Sequence, residues 1–131
     1  MSHDQPKTIN KIFGVSLKKI LRKVNLVIPK NKAVPEISLV FVSAKKIKEL
    51  NKTYRGKDKP TNVLSFAGGD IVICPEVVKV EAKKSGFTQK YWMTHLVVHG
   101  ILHLAGYDHE RPRDILEMEK VEREALVLLG F

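Results

Sequence analysis

Three histidines lie close together in His99-Gly100-Ile101-Leu102-His103-Leu104-Ala105-Gly106-Tyr107-Asp108-His109. On a helix, residues four apart share a face, so His99 and His103 aim their imidazoles at one point. Gly106 comes soon after. Glycine readily takes the left-handed conformation that ends a helix and turns the chain back. Such a turn would carry His109 to the same point. Three imidazoles with an open fourth position is the donor set of a catalytic zinc site rather than a structural one.

The spacing is that of the long zinc-protease motif, H-E-x-x-H-x-x-G-x-x-H, with one change. Gly100 stands where those proteases carry the glutamate that serves as general base. Peptide hydrolysis is weakened by that change while the ligand set stays intact. No Met-turn follows, since Met118 lies in a charged helical run. A single histidine on an apolar face is usually a hydrogen-bonded core residue. Here four of the five histidines, His95 among them, fall within fifteen residues. His95 precedes His99 by four, so His95/His99 is a rival pair; Gly106 and His109 favour His99/His103. His95 then reads as a residue behind the ligands or on the substrate side, with plain packing as the alternative. Asp108 could orient a ligand histidine or simply serve the turn.

Elements must position these groups. Ser16 caps an amphipathic helix over LKKILRKVNLVI. Leu17, Ile20, Leu21 and Val24 form its apolar stripe, Lys18, Lys19, Arg22 and Lys23 its basic face, and Pro29 its stop. Residues 7–13 suggest a short edge strand. EISLVFVS (36–43) alternates as a strand does and leads into a helix through AKKIKELNKTY (44–54), capped by Ser43, with Ile47 and Leu50 inward. A strand running straight into a helix suggests a βαβ unit, hence an α/β or α+β sheet. Residues 52–62 read as a charged loop in which Arg55 is the candidate anion contact, because its planar fork suits phosphate; a solvated arginine is the plainer alternative. VLSF (63–66) and IVIC (71–74) make a hairpin across a glycine turn, the second strand buried on both faces. Pro75 opens a helix that Gly86 closes. Thr88 caps QKYWMTHLVVHGILHLA, apolar nearly all round and therefore the central buried helix. Gly100 inside it costs about 1 kcal/mol relative to alanine, which close packing of a strand or ligand would explain. Pro112 and Asp114 open a last helix whose inward stripe is Ile115, Met118, Val121, Ala125 and Leu128, the rest acidic and solvated.

At 131 residues this is one domain, spanning 1–131, with no internal repeat, linker or low-complexity segment. No run approaches the ~20 apolar residues that span a bilayer, and the N-terminal residues MSHDQPKTINK lack the apolar core of a secretion signal. Cys74 is the single cysteine, which excludes an internal disulfide, suits a reducing compartment and points to the cytoplasm. The net charge of +9 is uneven: residues 1–60 hold 15 Lys/Arg against 4 Asp/Glu, and residues 61–131 hold 8 against 10. A half-chain this basic suggests a polyanionic partner, although a solvated face would have the same composition.

Two stretches carry a family resemblance. HLVVHGILHLAGYDHE (95–110) and NKTYRGKDKPTNVLSF (51–66), the latter followed by GDIVIC (69–74), resemble the YbeY family of bacterial rRNA-maturation endoribonucleases. With the closing ALVLLGF the likeness spans roughly residues 36 to 131. It implies a small α/β (α+β) metalloprotein: a mixed four-stranded sheet packed with about five helices. It implies one Zn2+ per chain held by His99, His103 and His109, and a functional arginine at Arg55. It implies single-strand-specific RNA cleavage, maturation of the 3′ end of small-subunit (16S) rRNA and ribosome quality control. The partners implied are RNA, the small ribosomal subunit and assembly factors, including a small-subunit ribosomal protein and a GTPase. One departure is visible: only Ala67 and Gly68 separate the Ser-Phe and Gly-Asp elements, where the family often has a longer acidic loop. Two other readings remain: a zinc hydrolase of the protease type, and a non-catalytic ribosome-assembly factor with a structural metal.

Overall fold

The computed structural model describes residues 8–108 and 110–131. Strands β1 (Thr8–Ile9), β2 (Lys11–Ile12) and β3 (Val15–Ser16) lead into helix α1 (Leu17–Val27). Strand β4 (Ser38–Phe41), helix α2 (Ala44–Arg55), strands β5 (Val63–Phe66) and β6 (Asp70–Ile73) and helices α3 (Pro75–Ser85), α4 (Gln89–Leu104) and α5 (Pro112–Leu128) follow. The result is a single α+β domain with five helices and a mixed four-stranded sheet.

The strand order is β1-β4-β6-β5. β4 and β6 run parallel, while β1 and β5 are antiparallel to their neighbours. The parallel pair requires a crossover, which α2 and β5 supply. The expected edge strand over 7–13 is divided. Thr8 and Ile9 pair with Val40 and Leu39, whereas Lys11 and Ile12 leave to form a small hairpin with β3. The break follows from the turn Phe13-Gly14: both residues have positive φ, the geometry that folds a two-residue hairpin back on itself.

Period-two alternation sorts the sheet's side chains between two cores. Leu39, Ile71 and Ile73 face the larger one, with Ile20 and Val24 of α1, Val97, Ile101 and Leu102 of α4, and Met118, Val121 and Ala125 of α5. Leu64 and Val72 face the other way, with Ile47 of α2 and Cys74. Burial of β6 on both faces is as its continuous apolar run implies. Cys74 is a buried, free thiol. Helix α4 buries Met93, Thr94, Leu96, Val97, Val98, Gly100, Ile101 and Leu102, so it is the central helix. Among the described residues, no helix is long and apolar enough to cross a membrane.

Two sequence expectations need correction. The charged loop read over 52–62 overlapped the helix read through Tyr54, and the structure settles the overlap for the helix: α2 runs one residue further, through Arg55, and closes on Gly56 at φ 71. The inward stripe of α5 also differs. Leu128, its last residue, is 42% exposed, Leu126 is buried, and Glu122 sits inside the apolar stripe at 6% exposure.

Candidate metal centre and RNA-facing residues

The Thr88 side chain accepts a hydrogen bond from the Tyr91 amide and starts α4. The helix stops as its sequence requires. Gly106 adopts φ 98, the Gly106 amide donates to the His103 carbonyl and the Tyr107 amide to the Leu102 carbonyl. Both bonds satisfy carbonyls that a helix end would otherwise leave unpaired. Tyr107 is thereby turned back into the core.

His99 and His103 converge as their spacing predicts, with their Nε2 atoms 3.0 Å apart. Their outer nitrogens are engaged by the protein. His103 Nδ1 lies 3.1 Å from the Tyr107 carbonyl, and His99 Nδ1 lies 2.9 Å from Glu122 Oε2. A carbonyl and a carboxylate only accept, so in each neutral ring the proton belongs on Nδ1 and the lone pair on Nε2. Two lone pairs converging at that distance suit a cation held between them. A zinc ion bonded to both at ~2.0–2.1 Å in tetrahedral geometry would hold them roughly 3.3 Å apart. The pair fits a metal, and an Nδ1–H held by carboxylate or carbonyl is the usual support of a ligating histidine. Among the described residues no group of three or more His, Cys, Asp or Glu completes a metal-holding set. His109, the third ligand expected from the sequence, lies outside the described residues.

Glu122 is the residue the sequence reading missed. It projects from α5, which packs along α4, and the Oε2 that meets His99 also lies 3.3 Å from His95 Nε2. Burial alone would raise its carboxyl. Hydrogen bonds from His95 and His99, and then their charges, outweigh that and bring it from 4.5 down to about 2. A signal existed. Glu122 stands four after Met118 and three before Ala125, so a carboxylate interrupts the apolar stripe. His95 lies against the Glu122 carboxylate that also meets His99, and it stacks on Trp92 with ring centroids 5.0 Å apart. Asp108 is exposed, and its Oδ1 accepts from the Glu110 amide at 3.3 Å within the turn.

Arg55 comes to the centre by way of the sheet. From the last turn of α2, its Nη2 donates to the Ser65 carbonyl at 2.8 Å and its Nη1 to the Tyr54 carbonyl at 3.2 Å. The Ser65 hydroxyl donates in turn to the Gly100 carbonyl at 3.1 Å. Arg55 is thus tethered through one strand residue to the position that follows His99, with its side chain still exposed. The loop beyond it is pinned by buried Asn51, whose Nδ2 donates to the Lys59 carbonyl at 2.9 Å. Gly100 explains itself at the same contact. A Cβ there would lie 3.0 Å from Ser65 Oγ and 3.4 Å from two carbons of Ile71. The position where proteases keep their glutamate points into the sheet, so this backbone has no place for that base.

Fold and site define a class: a small single-domain α+β protein with a histidine centre on its buried helix and a tethered arginine beside it. The chain belongs to the YbeY family of endoribonucleases. The model of that family, described as endoribonuclease YbeY, matches residues 2–130. Among solved structures, the solution structure of TM1509 from Thermotoga maritima is similar, with 32% identity over 86% of this chain and 83% of that one, at a TM-score of 0.60. The family is one of endoribonucleases, hydrolases acting on RNA with a role in rRNA processing, and it is generally metal-dependent.

Proposed function

We propose that this chain is a zinc-dependent, single-strand-specific endoribonuclease that matures the 3′ end of small-subunit (16S) rRNA in the cytoplasm and takes part in ribosome quality control. The observation that carries the metal half of this reading is the facing Nε2 pair, with both outer nitrogens committed to acceptors. His99 and His103 would hold the zinc, with His109 completing the set. Zinc held there supplies Lewis-acid chemistry to a phosphodiester.

The chain's own residues do the rest. Glu122 and the Tyr107 carbonyl fix which nitrogen each histidine presents. Arg55 stabilises the charge that grows on phosphate, its fork already oriented by the Tyr54 and Ser65 carbonyls. Exposed Lys18, Lys19 and Arg22 on α1 and Lys45, Lys46, Lys48 and Lys52 on α2 contact phosphates of the RNA or of the small subunit, where assembly factors are also engaged. A peptide-hydrolysing function finds no support at Gly100, since a glutamate there would face Ser65 and Ile71.

The test is RNA cleavage by highly purified wild type and His103→Ala, with elemental metal analysis of both. About one zinc per chain in the wild type, with metal and cleavage both lost in the variant, is the expected result. Equal cleavage by the two proteins would mark a contaminating ribonuclease and leave a metal-stabilised assembly factor as the better description.

A further inference from the structure

The end of α2 and the end of β5 bring three side chains together. Tyr54 is 58% exposed. Its ring meets Phe66 edge to face, with centroids 5.2 Å apart and planes at 74°. The Arg55 guanidinium carbon lies 5.2 Å from the centroid of the same Phe66 ring. Neither Tyr54 nor Arg55 fills a core, yet both are held: Tyr54 by Phe66, and Arg55 by the Tyr54 and Ser65 carbonyls. Phe66 follows Ser65 directly, and Ser65 is bonded to the backbone next to His99. This half-open aromatic corner therefore adjoins the histidine centre through a single strand. Lys52, Lys57 and Lys59, on the same helix end and the loop after it, are exposed, and Asp58, the one carboxylate of that loop, pairs with Lys48 at 4.0 Å.

We propose that Tyr54, braced by Phe66 and flanked by Arg55, is a stacking site for one unpaired nucleobase of the bound RNA strand. This rests on the nuclease reading and deepens it. A nucleobase is flat, apolar on its faces and carried between phosphates, so it suits an open ring set among cations; a neutral peptide or lipid chain would have no use for them. Stacking on an aromatic ring is open only to bases freed from a helix, and it is tolerant of sequence. The corner thus accounts for a preference for single strands without any contact to base edges. Arg55 and the lysines meet the phosphates on either side.

The test is equilibrium binding of a fluorescent 2′-O-methyl single-stranded RNA, and of its duplex, to the metal-loaded full chain, with the strands checked intact on a gel. Tyr54→Ala should weaken single-strand binding roughly tenfold and leave duplex binding unchanged, while Tyr54→Phe should bind as wild type does. A series of strands, each abasic at one position, should contain one for which wild type loses that same factor and Tyr54→Ala loses nothing more. A merely structural role for Tyr54 would not produce that cancellation. Equal single-strand binding by wild type and Tyr54→Ala, equal losses on both RNA forms, or an abasic penalty unchanged by the substitution would each overturn the site. Wild type that binds neither RNA would remove the nuclease reading along with it, so the two failures are distinct.

Discussion

Glu122 offers a test that needs neither RNA nor metal. Its carboxyl falls from an ordinary 4.5 to about 2 in the folded chain, because His95 and His99 outweigh burial. A carboxylate whose folded value is depressed adds stability above its unfolded value and loses it as pH falls through the folded one. The full contribution of that fall is about 3 kcal/mol. By linkage, about 2 kcal/mol of it should be gone at pH 3 and most of the remainder near pH 2. Glu122→Gln keeps the shape and removes the titration. The assay is urea unfolding of metal-free wild type and Glu122→Gln at intervals from pH 7 to pH 2.5. The other carboxylates titrate in both proteins and cancel in the difference. The margin by which wild type exceeds the variant should shrink by about 2 kcal/mol between pH 5 and pH 3. Curves that stay parallel to the lowest pH would show that the histidines do not hold this carboxylate, and the account of how His99 is oriented would fall with them.

Other substitutions probe neighbouring joints. Glu122→Gln should also weaken zinc binding by ~10-fold or more in a competition titration against a chromogenic chelator. Gly100→Ala, which would gain about 1 kcal/mol in an open helix, should show no gain in thermal unfolding, because its Cβ meets Ser65 Oγ at 3.0 Å; adding Ser65→Ala should restore part of the gain. Gly69→Ala should cost more than about 2 kcal/mol of unfolding free energy, since that residue holds φ 101 and a Cβ would lie 2.7 Å from the Glu36 carbonyl oxygen. Arg55→Lys keeps the charge but not the fork that reaches two carbonyls, so RNA cleavage should fall roughly tenfold with little change in melting temperature.

The histidine helix and its glycine stop were legible because their signals are local: a four-residue spacing, a cap at Thr88, a left-handed residue at Gly106. The hairpin of β5 and β6 was legible for the same reason. What escaped the sequence depends on contacts between distant segments. Glu122 meets His99 across 23 positions of chain, and Ser65 meets Gly100 across 35. No periodicity within one element announces either contact, although a charge set between Met118 and Ala125 was a hint. The end of α2 was read to within one residue, at Tyr54, but the same stretch also read as a loop because Lys52, Thr53 and Arg55 are polar. Helix needs only Gly56 to close it, and Asn51 and the carbonyl of Ser65 secure what the composition left open. Edge pairing at Thr8 and Ile9 was half visible, since an alternating pattern marks a strand without marking where it changes partner.

Helix α4 is at once the middle of the larger core and the mount of the histidine pair. Its interior hydrogen bonds can open to solvent only when the surrounding layers separate. Amide hydrogens at His99 and His103 should therefore exchange at the rate of whole-molecule unfolding rather than of local fraying. Val97 and Ile101 lie in the same helix, between and beside the histidines, so packing of the core and aim of the imidazoles share one backbone.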